Sequence, residues 1–296
     1  MDDTAKSVAI GLFALLLLHG SLEDRARRAS VREMREAFPV GGEVRARVVA
    51  EPPAYLFGNR IQILDLYGND VSTQQLPFQQ YPRSGWKGSI RTLRLHLTNS
   101  SLKGLKIDRL EAEIPDVRYD LGWALNRNRL KIRSAGTGTI DIWVSARSIT
   151  EFTEKKYRQS MQDVSVEVIG DKMLVRATVR MLGARARIEA NGVLKPRGGR
   201  YVELSDSSVI LNGKPVDGSA AARLLSGVNP VLDVDRDFDL GSLMHIETVK
   251  IEGSQVHIHG SATVPINAAS VNASAGSKAP ISINSTESFG NENSGE

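Results

Sequence analysis

A chain of 296 residues with 41% apolar content is long enough for one large domain or two small ones, and for a sizeable core. A net charge of +4, a pI near 9.3 and 5% aromatics fall short of the basic, aromatic-studded footprint of a nucleic-acid binder, whereas an anionic membrane surface attracts with less charge. The absence of cysteine excludes disulfides, thiolate metal sites and cysteine nucleophiles, and leaves the compartment open.

In chain order, Val8–Leu18 (VAIGLFALLLL) is apolar throughout and stops at His19-Gly20-Ser21. That run has the length of a signal-peptide apolar region and is short for a membrane span, which needs about 20 residues. Asp2 and Asp3 offset Lys6, while Arg25, Arg27 and Arg28 follow the run. Taken alone, the positive-inside rule keeps the body of the protein cytoplasmic, against a secretory reading. Residues 1–21 are read as an anchor or an uncleaved signal. Ser21–Phe38 then has the marks of a helix: Ser21 as cap, Glu23 and Asp24 in the first turn, and Pro39 with Gly41-Gly42 as the stop. Ala26, Ala29, Val31, Met34 and Phe38 form its apolar stripe. Arginines cover the rest, and beside a membrane segment they are placed to meet lipid headgroups.

From Val44 the pattern turns to strands (VRARVV), followed after Pro52-Pro53 by a Gln-, Gly- and Pro-rich section that holds the apolar cluster Tyr55–Gly58 and runs to Gly88. Ile90–Leu97 alternates weakly. Leu105 to Tyr157 is the most regular stretch. Leu105 and Ile107, then Leu110, Ala112 and Ile114, then Val117, Tyr119 and Leu121 put apolar side chains on alternate positions, the period of a strand with one dry face. The step of three from Ile107 to Leu110 predicts a β-bulge, and Pro115 an edge or a break in the ladder. Leu130, Ile132, Ile140, Ile142 and Val144 repeat the pattern. Ser148 then opens a short amphipathic helix with Ile149 and Phe152 on one face and Lys155 and Lys156 in its last turn.

Strands follow over 164–169, 173–181, 184–190 and 201–211, with Asn212-Gly213 as a hairpin turn. Ser219–Val228, carrying Leu224 and Leu225, reads as a helix stopped by Asn229-Pro230. A strand near Phe238–Leu240 comes next. A closing hairpin turns at Glu252-Gly253-Ser254, with Val249 and Ile251 facing Val256, Ile258 and Ala262. Residues 266–296, rich in Ser, Asn and Gly, lack the apolar content to offset their ordering entropy and read as a disordered tail. The expected division is a signal or anchor over 1–21, an α+β domain over 22–265 and the tail.

The apolar N-terminal run with DRARR, GLKIDRLEAEIPDVRYDL, LKIRSAGTGTIDIWVSARSITEF and the closing IETVKIEGSQVHIHGSATV together resemble the bacterial LmeA-like phospholipid-binding family, over roughly 11–264. The resemblance implies a fold like that of tubular lipid-binding proteins: a strongly curved antiparallel sheet packed on a few helices, with an apolar groove for acyl chains. It also implies export to the cell envelope and a phospholipid partner, with no cofactor. Groove positions then fall to Met34, Phe38, Phe57, Ile149, Phe152, Leu224 and Leu225, and headgroup or membrane contacts to Arg25, Arg27, Arg28, Lys155 and Lys156. For each of these, core packing or solvated charge is the ordinary alternative.

Other chemistry finds little support. Asp233, Asp235, Asp237 and Asp239 invite calcium, but Phe238 and Met244 stand where a calcium loop needs Gly and Glu, and on a strand the four would share a wet face. His257 and His259 share a strand face with no third metal ligand near in sequence, and read as surface histidines. No nucleophile elbow, phosphate loop or H-E-x-x-H is present. The function expected is therefore non-catalytic acyl-chain binding. The alternatives are a membrane-anchored scaffold with a filled core, which would bind a protein through the Gln-rich section or the tail, and, third, an enzyme without a recognisable motif.

Overall fold

A computed structural model of the chain describes residues 23–39, 41–50, 60–73, 79–81, 87–159, 161–181, 184–226, 229–238, 240 and 243–265. The apolar run, Phe57 with most of its Gln-rich section, and the C-terminal tail lie outside the described residues. The architecture is α+β and dominated by strands, with a strongly curled half-barrel sheet and a few helices.

The half-barrel is built on a long hairpin, β4 (Lys87–Leu102) and β5 (Leu105–Asp120), turned at Lys103-Gly104, where both residues have positive φ. On one side of β4 lie β2 (Arg60–Asn69), then β1 (Glu43–Ala50) at the edge, with the two-residue β3 (Ser72–Thr73) beside the far end of β4. On the other side of β5 come β6 (Ile132–Ser134) and β7 (Gly138–Ser145), followed by the closing hairpin β15 (Gln255–Ala262) and β14 (Met244–Glu252). In that hairpin Val249 faces Ile258 and Ile251 faces Val256, as expected from sequence, whereas Ala262 faces Met244 at the far end of the ladder. Pairing is antiparallel except that β2 and β3 run parallel to β4.

The bulge expected between Ile107 and Leu110 takes another form. Thr98 pairs with Arg109 and Ser100 with Ile107, so no residue is inserted and the register is the same on both sides. Asn99 and Asp108 drop out of the ladder together, and Arg91 and Asp116 do so further along. Asn99 (φ 48°) and Asp116 (φ 53°) take the left-handed conformation that short polar side chains tolerate. Each such pair flips which parity of residue points inward, in both strands at once. Ile107 and Leu110 therefore share the dry face with Val117 and Tyr119, and the hairpin can curl. Pro115 sits at the gap between the β7 and β6 pairings, as a residue without an N–H requires.

A second sheet is a meander of β8 (Met161–Ile169), β9 (Lys172–Met181), β10 (Ala184–Arg197), β11 (Tyr201–Leu211) and β12 (Lys214–Val216), with β13 (Leu232–Asp233) added to β11. It meets the half-barrel where the Ile246 N–H donates to the Gly199 carbonyl at 2.7 Å. Gly199 is required there: its φ is 69°, and a Cβ would lie 2.0 Å from the His245 ring. One apolar core runs through residues of both sheets.

Helix α1 (residues 23–37) buries Ala26, Ala29 and Met34, its Ala37 carbonyl accepting from Thr73 Oγ1 at 2.8 Å. Helix α2 (Leu121–Arg127) corrects the reading of Leu121 as strand: Asp120 ends β5 and caps the helix by accepting from the Trp123 N–H at 3.0 Å. Helix α3 (Ala146–Lys156) starts at a Ser145 cap, three residues before the expected Ser148, and packs against β8, β5 and β7. Helix α4 (Gly218–Ser226) lies against β11. Helix α5 (Val234–Phe238) replaces the expected strand, because Asp233 Oδ1 accepts from the N–H groups of Asp235 and Arg236, both at 3.1 Å, and starts a turn of helix.

Candidate functional site

The concave face of the half-barrel is apolar along the middle of β4 and β5, but it is not filled. Leu93, Leu97 and Leu110 point inward and are buried, while Leu95, Ala112 and Ile114 point the same way and are only half-buried. These three floor an apolar slot of about 80 Å³, or about 820 Å³ when the open space of its mouth is counted. Phe38 at the end of α1 covers one side, and Ile140 with Ala262–Pro265 forms the other. The few polar residues in the wall turn their hydroxyls away. Thr73 donates to Ala37, as above, and Ser100 donates to the Thr98 carbonyl at 2.8 Å. The wall beyond β15 is tied by Gln80, whose N–H donates to the Pro265 carbonyl at 2.6 Å and whose side-chain amide donates to the Val264 carbonyl at 2.7 Å. A slot with apolar walls, and with the hydroxyls of Thr73 and Ser100 engaged elsewhere, suits a hydrocarbon chain.

Of the residues placed in a groove from sequence, Phe38 lines this slot. Met34 is fully buried one turn earlier on α1, in the core beside it. Ile149 and Phe152 lie beneath α3, where Phe152 stacks on Phe238 at 6.2 Å. Leu224 and Leu225 are half-buried on α4, away from the half-barrel. Amphipathic helices advertise their apolar stripes, while the slot is walled mainly by strands. The alternation of Leu93, Leu95 and Leu97 and of Leu110, Ala112 and Ile114 was the available signal.

The cationic residues divide differently from their order in sequence. Arg25, Arg27 and Arg28 are exposed on α1. Arg27 and Arg28 join Arg32, Arg35 and Arg45 around an open groove of about 620 Å³ between α1 and β1, whose apolar part is Val31, Val44 and Ala46. Arg27, Arg32 and Arg45 pair with Asp24, Glu36 and Glu43, whereas Arg28 and Arg35 make no salt bridge among the described residues. Lys155 is exposed. Lys156 turns inward, its Nζ 2.5 Å from an Asp237 carboxylate that is 4% exposed.

On the other flank of α1, Arg129 pairs with Glu33 and Glu36. Burial pushes the Glu33 carboxyl above its ordinary value despite Arg129, whose Nε is 2.9 Å away but too poorly aligned for a hydrogen bond. Glu36 feels less burial, and hydrogen bonds from Arg129 and Arg32 hold it below the usual carboxylate value.

On the convex face, His257 Nε2 and His259 Nδ1 both lie 2.8 Å from Asp141 Oδ1, and His257 Nδ1 lies 2.9 Å from Glu252 Oε1. Burial raises the Asp141 carboxyl, and the two histidine hydrogen bonds overcome it, leaving Asp141 below its ordinary value. The carboxylate missed from sequence lies across the β7–β15 ladder, where His259 faces Asp141. Among the described residues no group of three His, Asp or Glu side chains is placed to hold a metal ion. The aspartate run does not share a wet face: Asp233 caps α5, Asp237 is buried against Lys156, and Asp239 is outside the described residues. No helix among the described residues is long and apolar enough to cross a membrane.

No curated protein and no solved structure matches the chain. A family described as LmeA-like phospholipid-binding matches it over residues 35–261, from the end of α1 through the closing hairpin and so across the whole half-barrel that holds the slot. With that match covering most of its length, the chain belongs to the LmeA-like phospholipid-binding family.

Proposed function

We propose that this protein is a non-catalytic phospholipid carrier of the cell envelope, which holds an acyl chain in the slot of the half-barrel and exchanges it with membranes. The observation that carries this reading is the incomplete burial of Leu95, Ala112 and Ile114 on an inward face whose neighbours are buried. A scaffold with a filled core would bury all six positions. Sequestering about 15 methylenes at about 0.8 kcal/mol each is worth some 12 kcal/mol against water and almost nothing against a bilayer. Such a slot therefore trades lipid with membranes and does not strip it from them. The arginine groove beside α1 supplies positive charge for anionic headgroups.

The test is native mass spectrometry of the full-length chain purified from cells, with solvent extraction of whatever co-purifies. Stoichiometric phospholipid is the expected result. The variant Ala112→Trp, which fills the slot from its floor, is expected to lose at least about tenfold in uptake of a fluorescent phospholipid while its thermal midpoint stays or rises, since filling a cavity adds contacts. Lipid-free protein that also takes up none from vesicles would overturn the carrier reading in favour of the scaffold.

A further inference from the structure

The slot needs a way to meet the bilayer, and the arrangement around α2 offers one. Trp123, half-buried on this helix, has the Arg127 guanidinium 4.6 Å from its ring centroid and Lys131 Nζ 3.7 Å from it. The same Nζ is 4.5 Å from the centroid of Tyr81, so Lys131 stands over both rings. Arg129, between them in sequence, is neutralised by Glu33 and Glu36. Arg127 and Lys131 form no salt bridge among the described residues.

This cluster is linked to the wall of the slot through Gln80, although none of its four residues lines the slot. Tyr81 follows Gln80, which holds Val264 and Pro265 of the slot wall, and the Tyr81 N–H donates to the Ile132 carbonyl at 2.5 Å. Because α2 follows β5 directly, the cluster lies at the end of the long hairpin opposite its turn at Lys103-Gly104.

We infer that Trp123, Tyr81, Arg127 and Lys131 form the docking surface that sets one end of the slot against an anionic bilayer. Tryptophan and tyrosine carry an apolar body with a polar tip and settle at the level of lipid headgroups, and the cationic groups held over their rings put positive charge at the same level, where anionic lipid would meet it. The inference rests on the carrier reading, because only a slot that trades lipid with a membrane needs its end presented to one. It adds a second cationic surface to the arginine groove of α1.

The experiment uses the full chain. With Trp86→Phe and Trp143→Phe, Trp123 is the sole tryptophan, and its emission is followed as vesicles of phosphatidylglycerol and phosphatidylcholine with brominated acyl chains are added. Quenching and a blue shift are expected. The double variant Arg127→Gln/Lys131→Gln is expected to bind these vesicles more weakly by about fivefold per lost charge, while uptake of a soluble single-chain lipid below its micelle concentration is unchanged. Intact soluble-lipid uptake with unquenched Trp123 and undiminished vesicle binding would overturn the docking surface and leave the carrier reading standing. Loss of soluble-lipid uptake in the parent protein would overturn both.

Discussion

Asp141 is the residue whose surroundings most exceed what its neighbours in sequence suggest. Two histidines on the next strand converge on one of its oxygens and hold its carboxyl below the ordinary value of 3.8. A carboxylate depressed in the folded state contributes stability above its unfolded value, and that contribution is lost as pH falls through the lower folded value. Urea unfolding of the parent and of Asp141→Asn should therefore differ most at about pH 5 to 7 and converge as pH drops well below 3.8. A gap that stays constant with pH would mean that Asp141 acts only by packing. Lys155 and Lys156 make the complementary point: adjacent in sequence and alike in chemistry, one is exposed and the other is bound to a buried aspartate.

At the scale of elements, the two kinks of the β4–β5 hairpin decide the curl. Their sequence trace, the break in alternation after Ile107, was legible. Its mechanism was not, because a flip of parity in one strand has the same signature whether a residue is inserted or a facing pair leaves the ladder together. Asp116 carries one kink at φ 53°. Asp116→Gly is expected to be neutral or mildly stabilising, while Asp116→Val, whose branched Cβ resists the left-handed region, should cost about 1–2 kcal/mol in chemical denaturation. Equal effects of both variants would show that the kink relaxes and is not built in. The helices were read with mixed success for a related reason. α1, α3 and α4 announce themselves by stripes and stops, whereas α2 and α5 are helices of only seven and five residues started by an aspartate cap inside an apparently strand-like pattern.

At the scale of the whole molecule, α1 has the slot on one side and the arginine groove on another, so one helix helps to bound both an apolar and a cationic recess. Arg28 and Arg35 lack salt-bridge partners among the described residues, which makes them the informative pair for charge reversal. Arg28→Glu/Arg35→Glu should weaken binding to anionic vesicles and flatten its dependence on salt, as measured by co-sedimentation over a salt series, while leaving uptake of soluble lipid intact. An unchanged salt series would remove this groove from the membrane contact.

Taken by itself, the amino-acid sequence determined what depends on neighbours a few positions apart. The period-two face of Leu105–Tyr119, the turns at Asn212-Gly213 and Gly253-Ser254, and the stripe of α1 follow from side-chain geometry along one element. The tertiary structure decided what depends on residues distant in the chain: the parallel pairing of β2 with β4, the meeting of His257 and His259 with Asp141, and the uncovered floor at Leu95, Ala112 and Ile114. A cavity has no period of its own. It is the space left when long-range packing sets how far a sheet curls and what covers it, and inward-facing leucines look the same in sequence whether their neighbours are side chains or a gap.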